Sequence, residues 1–185
     1  MQAELSKFFT EVFSKFFKVH FLKCFFFGYW ELNQIFPESN RARIAESISL
    51  SERQHTGEIC ICVEAALDLL DFLRGITVRE KAEMLFSSLR VWDTETNAGV
   101  LIYINLADRS LEILADRGIA TKVNDQQWHE ICELTKTTFQ SGDFTQGIIE
   151  CLNSVSKILA EHFPNDSGTV KRSINELSDQ PIFKR

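Results

Sequence analysis

Two apolar runs dominate the middle of the chain, Val100–Leu106 and Leu111–Ala115. The four residues between them, Ala107 to Ser110, have the length and composition of a tight turn. The pattern predicts a β-hairpin, because short apolar runs joined by so few polar residues can close only as antiparallel neighbours. Ile59 to Ala66 (ICICVEAA) is a third such run, rich in β-branched residues, and predicts a buried strand. Between the two, Thr77 and Glu80 stand at capping-box spacing ahead of Ala82, Leu85 and Phe86, which predicts a helix to about Leu89. Strand, helix and strand in this order form a right-handed crossover, with the Ile59 and Val100 strands parallel in one sheet.

Helical periodicity marks the rest. Pro37 to Asn40 is a break, with Ser39 or Asn40 available to cap a helix over residues 41–54 whose apolar side is Ile44, Ile48 and Leu50. After Gly118, Asn124 or Asp125 can cap a helix carrying Trp128, Ile131, Cys132 and Phe139, ended by Gly142. Asp143 opens a long amphipathic helix from Ile148 to Phe163 that stops at Pro164. Residues 1–36 hold ten of the sixteen phenylalanines; Phe9, Phe13, Phe16 and Phe17 recur at helical spacing with lysines between them, which predicts an amphipathic helix. Three segments follow from this pattern: a Phe-rich N-terminal segment (1–36), one α/β domain (37–164), and a polar tail (165–185) expected to be mobile.

Composition narrows the classes. At 185 residues and 44% hydrophobic the chain suffices for one real core. A net charge of -6 and a pI near 5.3 argue against nucleic acid as partner, since phosphate binding calls for a basic face. The five cysteines show no C-x-x-C pair, which fits a reducing compartment; Cys60 and Cys62 alternate in an apolar run and read as small buried hydrophobes. No uncharged stretch reaches the roughly eighteen residues of a spanning helix, and no signal-peptide pattern is present. A cytoplasmic protein is expected, with residues 1–36 either covering the domain or meeting a membrane surface or membrane-protein partner.

The chemistry gathers at the open end of the hairpin. There Asp93, Thr94 and Asn97 approach Asp116, Arg117 and Gly118, and the parallel crossover adds Glu58 at the same sheet edge. Glu58, Asp93, Asn97, Asp116 and Asp125 offer carboxylate and amide oxygens, the donors that hard cations such as Ca²⁺ or Mg²⁺ prefer. Arg117 could stabilise a transferring phosphoryl group, and Asp93 or Asp116 could act as a base. The same residues also have structural readings: Asp125 as a helix cap, Asp93 and Asn97 as turn residues, Glu58 as a solvated strand end or a partner for Arg117.

Four motifs carry a family resemblance: TGEI at Thr56–Ile59, LRVWDTE at Leu89–Glu95, NAGVLIY at Asn97–Tyr103, and LADRSLEILADRGI ending at Ile119. With Trp128, Phe139-x-x-Gly142 and the His162–Pro164 HFP, they make the chain resemble the TPM domain family over roughly residues 35–164. The resemblance implies a three-layer α/β/α sandwich around a central mixed sheet, divalent-cation binding (chiefly calcium) and acid phosphatase activity. Among family members the chain looks like the shorter cytoplasmic bacterial subgroup. The alternative function is a noncatalytic interaction module acting at the membrane surface or on membrane-protein complexes, peripheral to the inner membrane.

Overall fold

The central strands form where the apolar runs predict them. In the computed structural model, which describes residues 29–165 and 176–184, β1 spans Glu58–Glu64, β2 Gly99–Asn105 and β3 Ser110–Ala115. β1 and β2 pair in parallel from Glu58↔Gly99 to Glu64↔Asn105, and β2 and β3 form the antiparallel hairpin from Val100↔Ala115 to Asn105↔Ser110. Arg109 takes a positive φ of 46° at the hairpin turn.

Seven helices are described: α1 (Tyr29–Ile35), α2 (Glu38–Ser51), α3 (Leu69–Leu73), α4 (Val78–Ser88), α5 (Arg117–Ala120), α6 (Asp125–Gln140) and α7 (Phe144–His162). Strand alternation divides the core between the two sheet faces. Ile59, Ile61, Val63, Val100, Ile102, Ile104, Leu111 and Ile113 pack with α1, α2, α6 and α7. Cys60, Cys62, Leu101, Tyr103 and Leu114 pack under Ala82 and Leu85 of α4. The chain is therefore a three-layer α/β/α sandwich on a mixed sheet.

The capping signals explain the helix starts. Thr77 and Glu80 form the expected capping box of α4, Asn124 caps α6 with Gln127 completing a second box, and Asp143 caps α7. Three expectations need correction. α2 starts at Glu38, not at residue 41, with Pro37 as an N-cap that makes no side-chain bond; proline already fixes the φ a helix start requires. Asn40 instead donates to the Ile35 carbonyl at 3.3 Å.

The second correction is that β1 stops at Glu64, leaving Ala65 and Ala66 outside the strand. The third concerns the polar tail, where Ile182–Lys184 form β4, parallel to β1, giving the order β3-β2-β1-β4. The doublet Ile182-Phe183 supplies the missing apolar signal: Phe183 stacks on Phe36 at 5.2 Å, with the Arg41 guanidinium 4.3 Å from its ring. Residues 1–28, which carry the Phe-rich helix expected from the sequence, lie outside the described residues, as do 166–175. Among the described residues no helix is long and apolar enough to cross a membrane.

Candidate functional site at the open end of the hairpin

Two close backbone approaches build the open end. A Cβ on Gly99 would lie 1.9 Å from the Val91 carbonyl oxygen, and one on Gly118 would lie 2.4 Å from the Asn97 carbonyl oxygen. Only glycine at both positions lets the loop between α4 and β2 lie directly on the sheet edge. Asn97 takes a positive φ of 50° there, and its carbonyl accepts the Gly118 N–H at 3.1 Å. Thr94 Oγ1 accepts the Ala98 N–H at 3.1 Å and closes the loop.

Asp116, only 7% exposed, is the N-cap of α5. Its Oδ1 accepts the Arg117 N–H at 2.7 Å, while its Oδ2 is buried with no hydrogen-bond partner. Arg117 is exposed and donates from both Nε and Nη2 to Asn97 Oδ1, at 3.0 and 2.9 Å. Asn97, Asp116 and Arg117 therefore form one connected group. Asp93 lies in the same loop, exposed, 3.8 Å from the Arg90 guanidinium.

Glu58 lies in the same row of the sheet but on the far side of Gly99, two strand spacings or about 10 Å from Asp116. The Val91 carbonyl sits over Gly99 between them. Glu58 does not pair with Arg117; its Oε2 accepts the Leu177 N–H at 3.3 Å, and burial pushes its carboxyl up from the ordinary range. Asp125 is exposed in the first turn of α6 and lines a cleft beside β3 together with Ala115 and Ala120. The helix cap is its neighbour Asn124.

Sequence reasoning missed three acids that meet Glu58. Glu52, at the end of α2, accepts the Ile59 N–H at 3.0 Å; Asp179 hydrogen-bonds to Glu52; and the Glu176 carboxylate accepts the Glu95 N–H at 2.9 Å. Their sole signal was the apolar doublet Ile182-Phe183 that docks the segment carrying two of them. Burial, opposed by the Ile59 N–H and reinforced by Glu58 and Asp179, pushes Glu52 up to about 8. Among the described residues no three His, Cys, Asp or Glu side chains are grouped to hold an ion. A cation at this end would therefore draw on fewer than three carboxylates, with amide and backbone oxygens and water completing the set. That donor set is all oxygen and suits a hard ion.

Comparison with known proteins agrees with the architecture. The TPM domain profile matches residues 31–158. The NMR structure of the BA42 protein from the psychrophilic bacterium Bizionia argentinensis superposes with a TM-score of 0.67 at 27% identity, covering 78% of this chain and 92% of that one. No curated protein matches the chain.

Proposed function

The chain belongs to the TPM domain family, and from that premise we propose that it binds a divalent cation, Ca²⁺ or Mg²⁺, at Asp116 and uses the site to hydrolyse a phosphomonoester. The observation that supports this reading is the buried, unpartnered Asp116 Oδ2. A buried carboxylate oxygen without a donor costs on the order of 1–3 kcal/mol, which a bound cation would offset. Asn97 Oδ1 and Asp93 are the further oxygen donors on the loop above it, with water completing the shell. A cation bound there would supply positive charge beside a phosphoryl group. Arg117, exposed and held by Asn97, would turn its guanidinium to an anionic phosphoryl oxygen, the bidentate recognition arginine geometry favours. Asp93, exposed beside it, is the candidate base.

Titration with CaCl₂ and MgCl₂, followed by amide NMR shifts, tests the site. Saturable shifts at residues 93–97 and 116–118 are expected in the unmodified protein and lost in Asp116→Asn, which keeps the Oδ1 cap but removes the charge. Hydrolysis of p-nitrophenyl phosphate should fall by about a hundredfold in Arg117→Ala, the scale on which one oxyanion-stabilising donor acts. Absence of saturable shifts at millimolar cation would overturn the cation site. Binding without hydrolysis would leave a noncatalytic cation module.

A further inference from the structure

The segment from Glu176 to Lys184 runs from the site loop to the far end of β1, and its two halves are held by different chemistry. β4 pairs with β1 and seats Phe183 on Phe36, an apolar anchor. Residues 176–179 are anchored through carboxyl groups instead. Glu176 accepts the Glu95 N–H with both oxygens, at 2.9 and 3.2 Å. Glu58 accepts the Leu177 N–H at 3.3 Å, and Asp179 hydrogen-bonds to Glu52. The Leu177 side chain packs at the margin of the core under α4.

Glu95 lies midway between Asp93 and Asn97, in the turn closed by the Asn97 N–H on the Thr94 carbonyl at 3.1 Å. The Glu176 carboxylate therefore clips the loop that carries two of the site's oxygen donors. The Glu52–Asp179 contact, in turn, cannot form without a proton. Ionised carboxylates only accept hydrogen bonds, so the two side chains meet only while one proton lies between them. Other acids crowd the pair: Glu58 of β1 faces both, and Glu176 faces Glu58. Among the described residues Glu52, Glu58 and Glu176 enter no ion pair. When the proton leaves, like charges meet at one junction. Burial first, and these acids after it, push Glu52 up to about 8 in the docked state; released into water, it returns toward the ordinary 4.5. Docking thus holds an extra proton between these values and weakens as the pH climbs through them.

We propose that residues 176–181 are a proton-dependent strap: docked, they hold the 93–97 loop in place, and loss of the proton shared by Glu52 and Asp179 releases them while β4 stays paired. The strap stands on its own contacts; its effect on cation binding rests on the function proposed above.

Methyl NMR of the full chain with labelled leucine and isoleucine tests the strap, because methyl protons do not exchange with water at alkaline pH. From pH 6 to pH 9 the Leu177 methyls should move toward random-coil positions, while Ile102 in the core and Ile182 in β4 keep their shifts. Glu52→Gln supplies an amide that donates to Asp179 without a titrating proton, so Leu177 should stay docked at both pH values. Asp179→Asn should do the same from the other side, which keeps the test valid if the first variant misfolds. Glu176→Ala should speed amide exchange at Asn97, measured at pH 6, since it frees the loop. CaCl₂ affinity should fall about tenfold from pH 6 to pH 9 in the unmodified protein and hold steady in Glu52→Gln. Unchanged Leu177 methyls, a transition that survives in both variants, one in which Ile102 or Ile182 moves with Leu177, or unchanged exchange at Asn97 would overturn the strap. Calcium binding absent at both pH values, with the Leu177 transition present, would instead remove the cation site and leave the strap standing.

Discussion

Gly99 carries more of this architecture than its missing side chain suggests. A methyl group there would overlap the Val91 carbonyl, whose backbone cannot withdraw without lifting the whole loop from the sheet. Gly99→Ala should therefore destabilise the fold by about 3 kcal/mol, the upper range for forced overpacking, as read from the denaturant midpoint. His55 is the second residue whose setting decides its behaviour. It is buried, with Nδ1 2.9 Å from the Gly57 carbonyl, and burial lowers its pKa to about 4 despite that contact. The unfolded chain binds this proton near 6.5, so the histidine's contribution is complete above pH 6.5 and is lost as the pH falls toward 4. Both residues sit within motifs visible in the sequence, the Gly of NAGVLIY and the residue before TGEI. Their roles were not legible there, because a clash with Val91 and a desolvated imidazole depend on what the fold brings across from elsewhere.

Junctions between elements hold the polar surprises. The last turn of α2 is tied to the start of β1 through Glu52 and the Ile59 N–H. Because Glu52 titrates near 8 in the fold and near 4.5 when unfolded, the folded state holds the extra proton between these values, and its stability falls as the pH rises through that window. Glu52→Gln keeps the acceptor without the charge and should stabilise the protein by about 3–4 kcal/mol more at pH 8 than at pH 5, measured by urea unfolding at both. At the other end of β1, buried Glu64 accepts from the Tyr103 hydroxyl and lies 3.5 Å from Lys81, which also binds Asp71 on α3 and lies 3.7 Å from Asp68. Lys81→Met should cost about 3 kcal/mol in thermal or denaturant unfolding, and adding Glu64→Gln should recover part of it, since the penalty arises from an acid left buried without its cation. The elements themselves were readable from periodicity and capping boxes. These junctions were not: Lys81 looks like any helix-surface lysine until α3, a five-residue helix with no periodicity to reveal it, closes over it.

At the scale of the whole molecule, the hairpin, the parallel crossover and the two helical layers were legible, because each has a period that burial imposes on its residues. β4 was not, because three residues cannot show a period and polar neighbours surround them. Removal of residues 176–185 should lower the thermal midpoint by several degrees and speed amide exchange at Ala65, whose N–H bonds the Lys184 carbonyl at 3.0 Å. Phe183→Ala should give a smaller loss of about 1–2 kcal/mol through the Phe36 and Arg41 contacts. The pairing of β4 with β1 also sets a clock during synthesis. The ribosome makes β1 more than a hundred residues before the strand that covers it. At ordinary elongation rates the edge of β1 stays open on the nascent chain for about 5–25 seconds. An open edge is a template for any passing strand, so aggregation of this protein should depend on how fast it is translated and on what is fused after Lys184.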